Sequence, residues 1–229
     1  MVTLGGFVFP EHRTFVRVRT REVLSRVRKE IEIYSLLIHY VSLEALRGDL
    51  EALEGELEKL DRGEVSLSIH EGRYFMGRRR DLQRFVEPRH LAATIHLLVL
   101  TEDRFERSVE EHQETLALSE SGQAMVVSQA GSGLAFARIL LTAGGTLVKP
   151  RISDGTRSVV FEAALESGET LELDGDTRTA KKNGAENVLH LVSGEFPLLS
   201  PGDTTITYTD DETSSHTGTL QVKYRDLWV

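Results

Sequence analysis

The chain has 229 residues, an ordinary apolar fraction of 40% and no cysteine, which excludes a disulfide framework, a thiolate metal site and a cysteine nucleophile. That length suffices for two modest domains. The formal net charge of −9 is uneven: residues 1–80 carry 14 Lys or Arg against 13 Asp or Glu, and residues 81–229 carry 13 against 23, an acidic excess that argues against a high-affinity nucleic-acid surface.

Along residues 4–21, Gly5, Gly6 and Pro10 interrupt a segment whose apolar Phe15, Val16 and Val18 are interleaved with Arg17 and Arg19. This partial alternation predicts an arm followed by an edge strand. Phe7, Phe9 and Phe15 in the arm are either aromatic groups for docking on a neighbouring subunit or part of their own domain's core. Residues 31–41 are apolar with few polar interruptions, as in a buried central strand. From Leu43 the period changes: Leu43, Leu46, Leu50, Leu53, Leu57 and Leu60 are three or four residues apart, the apolar stripe of a helix. Ser42 suits its N-cap, Glu44 its first turn, Lys59 and Arg62 its last turn, and Gly63 its end. The stripe is too short for a coiled coil and predicts a helix over 43–62 packed across a sheet.

Strand periodicity returns with Val65, Leu67 and Ile69, a turn at Glu71-Gly72, and Tyr74 and Met76 on the return strand, which reads as a β-hairpin. Arg78-Arg79-Arg80 follows Gly77. It reads as a solvated loop, as a patch that meets acidic residues of a neighbouring subunit through bidentate pairing, or as a nucleic-acid contact, which would need aromatic stacking partners or a wider basic stripe. A further strand, residues 92–101, is apolar on both faces near its end and is expected to be central. Residues 102–114 are strongly charged and mark a domain boundary near His112. Beyond it, turn signals at residues 119–122, 131–133, 144–145, 154–155, 167–168 and 183–184 separate short strand candidates, the rhythm of an antiparallel sandwich.

The last third is the clearest. Residues 169–174 alternate. Pro201-Gly202 launches a strand with Ile206 and Tyr208 on one face, and Leu220, Val222 and Tyr224 share the inner face of the next. This order of "ETLELD", a short hairpin, "FPLLSPGDTTITYT" and a last strand ending "KYRDLWV" resembles the C-terminal domain of the distal tail proteins of long-tailed bacteriophages. Where that family has Asn after the Pro-Gly turn, this chain has Asp203, which caps a turn in the same way. The order of strands, single helix, Gly-turned hairpin and central strand in the first half resembles the family's N-terminal belt domain. The expected fold is therefore mainly β: a belt domain over 1–112, a β-sandwich or split barrel with one α-helix, and a C-terminal galectin-like β-sandwich over 113–229.

Chemistry is weakly signalled. The eight histidines include no His-Glu-x-x-His pattern, so no zinc helix is expected. Asp174-Gly175-Asp176 and Asp210-Asp211-Glu212 lack the remaining ligands of a calcium loop and read as turn residues. Gly131-Ser132-Gly133 lacks the third glycine of a dinucleotide fingerprint, and Ser132 is not in a nucleophile elbow. No catalytic residue, metal site or cofactor is expected, and the chain reads as a non-enzyme. Met1-Val2-Thr3-Leu4 begins no basic-then-apolar leader, and no apolar stretch approaches the roughly 20 residues of a membrane span. Synthesis in the host cytoplasm without membrane insertion is the expectation.

The resemblance implies a virion structural protein of the tail tip: a ring, commonly a hexamer, joining the tail tube protein to hub and fibre proteins of the tip, with DNA passing through and not read by sequence. Arg78, Arg79, Arg80, Phe7 and Phe9 are the candidate subunit-interface residues. The alternative is a carbohydrate-binding β-sandwich module for host attachment, which needs an exposed aromatic platform. Phe136, Phe161 and Phe196 read as internal, which leaves Tyr208, Tyr224 and Trp228, and the two tyrosines point to the core face.

Overall fold

A computed structural model describes residues 1–9, 14–23, 26–37, 42–61, 66–87, 92–101 and 105–229. The chain forms two compact units that divide between Val109 and Glu110.

The first unit contains β1 (Thr3–Leu4), β2 (Phe7–Val8), β3 (Thr14–Val23), β4 (Arg26–Leu37), α1 (Leu43–Asp61), β5 (Ser66–Ser68), β6 (Arg73–Glu87), β7 (Ala92–Thr101) and β8 (Glu106–Ser108). The strands run antiparallel in the order β2-β1-β5-β6-β7-β4-β3, with β8 alongside the start of β6. As the apolar patterns imply, β4 and β7 are central, and among the described residues β3 is paired on one side only. Ile31 and Ile33 of β4 and Ala93, Ile95, Leu97 and Val99 of β7 face the core.

The helix forms where its signals lie. The Ser42 hydroxyl accepts the Ala45 N–H at 3.1 Å, supplying the N-cap, and Leu46, Leu53 and Leu57 are buried with Leu50 half-buried beside them. This stripe packs on β1, β2 and β6. Its observed end is Asp61; Arg62 and Gly63 lie outside the described residues.

The hairpin at Glu71-Gly72 is present, with Gly72 in the left-handed region at φ 71°. Its return strand differs from the expectation, because β6 does not stop at Gly77 but runs on for 15 residues in all. Its start pairs with β5 and β8, and from Gly77 onward it pairs with β7. Gly77 sits where strands approach closely: a Cβ there would meet Val99 Cγ1 at 2.8 Å and the Leu100 carbonyl oxygen at 3.0 Å. The glycine admits close packing rather than ending the strand.

In the second unit, one sheet has the order β10 (Ala124–Gln129), β21 (Gly202–Thr209), β13 (Arg151–Ser153), β14 (Ser158–Phe161), β19 (Val192–Gly194). The other has the order β18 (Glu186–Asn187), β17 (Thr179–Lys182), β16 (Thr170–Asp174), β11 (Ala135–Ala143), β22 (Gly218–Tyr224), β9 (His112–Leu118), with β20 (Leu198–Leu199) also on β11. β12 (Leu147–Val148) and β15 (Ala164–Leu165) form a small separate pair. Burial alternates strictly along β11, and its Ile139 and Leu141, with Leu171, Leu173, Leu220 and Val222, make one inner face. Val127, Ile152, Val159, Phe161, Ile206 and Tyr208 make the other. The Tyr224 hydroxyl of one sheet donates to the Ser128 carbonyl of the other at 2.6 Å. This mainly β architecture, with one α-helix among the described residues, bears out the expected fold class. The charged segment in which the boundary was expected also supplies strand, since β8 and the start of β9 fall within it.

Candidate interaction surfaces

On the first unit, Phe7 and Phe9 are packed edge to face, with ring centroids 5.1 Å apart and planes at 84°. They are 8% and 0% exposed. The β1–β2 hairpin folds them onto the unit's own core, so neither offers a ring to a neighbour. Arg78, Arg79 and Arg80 are not in a loop: they occupy consecutive positions of β6, with the ladder to β7 slipping by one residue between Arg79 and Asp81. Three like charges read as a loop in sequence, yet a strand's backbone pairs whatever its side chains are. The side chains of these arginines lie outside the described residues.

What the sequence did not reveal is the far end of β6. Phe85 is 66% exposed and lies opposite Thr94, on the face away from buried Ala93 and Ile95; Val86 beside it and Val18 on β3 are also exposed. Beyond its rank as an aromatic residue in a charged stretch, nothing in the sequence distinguished Phe85. The edge of β3, without a strand partner on one side among the described residues, and this apolar ring are exposed features of the first unit.

On the second unit, His216 and His112 each sit against an acid. The His216 Nδ1 lies 2.7 Å from Asp210 Oδ1, and the Tyr208 hydroxyl donates to Asp210 Oδ2 at 2.8 Å. Burial pushes the Tyr208 phenol far above its ordinary range, and the Asp210 carboxylate adds to the shift. His112 pairs with Asp226 at 3.3 Å, and in the first unit His70 lies 2.7 Å from Glu106. His12, His39 and His90 lie outside the described residues. Asp174 Oδ1 accepts the Asp176 and Thr177 N–H groups, and Asp211 Oδ1 accepts that of Thr213; both carboxylates hold turns. No cluster of three or more metal-ligating side chains occurs among the described residues. Gly131 is explained by packing, since a Cβ there would lie 2.1 Å from the Leu227 carbonyl oxygen.

The second unit also carries a cleft of ≈ 410 Å³ whose lining includes Phe136, Phe196, Arg157, Arg178 and Glu195. Phe161 is buried as expected, but Phe136 and Phe196 are only half-buried. The alternation of β11 puts Phe136 on its outer face, and Phe196 lies between β19 and β20.

Residues 134–228 match the family described as siphovirus-type tail component, C-terminal domain. Over 100% of its length the chain is similar to the crystal structure of SPP1 Dit (gp 19.1), described as a paradigm of the hub adsorption apparatus in phages that infect Gram-positive bacteria; 92% of that chain is covered, with a TM-score of 0.64 and 11% identity. No curated protein matches the sequence. The resemblance to distal tail proteins is borne out by these two findings.

Proposed function

We propose that this chain, whose residues 134–228 carry the C-terminal domain of the siphovirus-type tail component family, is a structural protein of a phage tail tip, located in the virion tail and without enzymatic activity. The observation that carries this reading is the family match together with a whole-chain fold like that of SPP1 Dit. In this reading copies of the chain close into a ring, a hexamer, that joins the tail tube protein to hub and fibre proteins. A heterologous contact repeated by rotation makes such a ring from one chain. The surface that supports it is on the first unit: among the described residues β3 has a partner on one side only, and Phe85, Val86 and Val18 are exposed. The run Arg78 to Arg80 supplies cationic positions for a neighbour's carboxylates. DNA passes without being bound, in keeping with the net charge of −9.

Light scattering of the purified chain, alone and with the phage's tail tube protein, tests this. A closed oligomer, in solution or on the tube, is expected, and it should be lost in Phe85→Asp while the fold persists. A chain that stays monomeric on the tube overturns the ring.

A further inference from the structure

We infer that the cleft on the second unit binds an anionic saccharide, a sugar ring bearing a carboxylate or phosphate. This goes beyond the role in the tail tip and does not rest on it.

The cleft's volume, ≈ 410 Å³, falls within the range of small-molecule sites, about 300–1,000 Å³. Its walls are chemically mixed in a specific way. Phe136 and Phe196 are half-buried, so each ring keeps surface available within the cleft. Phenyl rings suit the C–H-rich face of a sugar, which is apolar while its edge is polar.

Two guanidinium groups line the same space, and neither has spent its donors. Arg178 is exposed, and its side chain has no hydrogen-bond or ion-pair partner among the described residues. Arg157 has carboxylates only at ion-pair range, Asp154 at 3.7 Å and Glu195 at 3.6 Å, and its guanidinium makes no hydrogen bond among the described residues. A guanidinium offers five N–H donors in a fork that fits a carboxylate or phosphate. The competing carboxylates do not cancel these donors. Asp154 is committed to the backbone N–H groups of Thr156, Arg157 and Leu198. Glu195, 77% exposed at the side chain, is left as an acceptor for sugar hydroxyls. An anion alone would leave the rings and Glu195 idle, and a neutral sugar would leave Arg178 unpaired.

The backbone holds Arg178 there at some cost. Its φ is 54°, a left-handed conformation that glycine or asparagine would adopt more readily. The turn from Asp174 would close as well with glycine, so the side chain at this position is not explained by folding.

Saturation-transfer NMR and calorimetry on the full chain, with glucuronic acid, glucose 6-phosphate and glucose as probes, test the inference. Millimolar binding of at least one acidic sugar is expected, with glucose at least about tenfold weaker, the loss of one charge-assisted contact. Arg178→Gly keeps the backbone conformation, so it should fold with an unchanged or raised melting temperature and still lose at least about tenfold in affinity for the acidic sugar. Phe196→Ala should weaken every sugar that binds. Three results would overturn the inference: no binding of either acidic sugar, equal affinity for glucose, or undiminished binding by Arg178→Gly. Inorganic phosphate that bound as tightly as glucose 6-phosphate would overturn its saccharide part.

Discussion

Asp154 Oδ2 accepts the Leu198 backbone N–H at 2.9 Å, tying the turn between β13 and β14 to a segment 44 residues further along the chain. Asp154 Oδ1 meanwhile holds its own turn through Thr156 and Arg157. One carboxylate, its side chain 4% exposed, thus shapes both a local turn and a wall of the cleft. Burial works to raise its pKa, but the backbone N–H groups of Arg157, Leu198 and Thr156, with the Arg157 charge, outweigh burial and hold it below the usual value.

Asp154→Asn is expected to destabilise the second unit by about 1–3 kcal/mol, because an amide NH₂ group at the Oδ2 position would face the Leu198 N–H without accepting from it. The pH dependence has a definite sign. A carboxylate with a depressed folded pKa contributes stability that is fully present above the unfolded value of about 3.9 and is lost as pH falls through the folded one. The melting-temperature gap between the parent and Asp154→Asn should be full at neutral pH and narrow below about pH 4. A gap that is constant down to acid unfolding would show that Asp154 is not held as a carboxylate by these donors.

The leucine stripe of α1 gives a sharper test of the first unit. Leu53 is 2% exposed, so Leu53→Asp places an unpaired charge in the core, enough to unfold a domain whose net stability is about 5–15 kcal/mol. Calorimetry should show the loss of the first unit's transition. An unchanged thermogram would mean that the helix does not pack by this face.

Tyr208 and Tyr224 should be silent in an alkaline titration. Burial raises both phenols, with Asp210 adding to the first and Asp226 and Glu114 to the second. A group whose folded pKa is raised contributes stability below its unfolded value, near 10, that is lost as pH rises above it. Ultraviolet absorbance should show these phenols ionising only together with unfolding, and reversible titration of all five tyrosines in the folded chain would contradict their burial.

Tyr208→Phe removes a donor from Asp210, whose side chain is 0% exposed and keeps His216 as its other partner. A loss of about 1–3 kcal/mol is expected from leaving that buried acceptor short of a partner. A denaturant midpoint indistinguishable from the parent would place the network's worth elsewhere.

The sequence by itself determined those elements whose signals are local. Ser42 and the leucine spacing specify α1, because a cap and an apolar stripe act within a few turns of chain. Pro201-Gly202 and the alternation through Ile206, Tyr208, Leu220 and Val222 specify β21 and β22, because strand side chains have a period of two. Only the tertiary structure decided what depends on pairing between distant segments. Gly77 looked like a strand's end until Val99 and Leu100 were seen packed against it, and Arg78 to Arg80 looked like a loop until β7 paired with Arg78 and Arg79 and the ladder resumed at Asp81. Phe7 and Phe9 became core because β1 and β2 fold back, and Phe136 and Phe196 became cleft walls because β11 turns one outward and Asp154 holds the chain beside the other. Periodicity reports which face a residue shares with its neighbours in sequence; which of those faces is covered is set by strands that the chain brings back from far away.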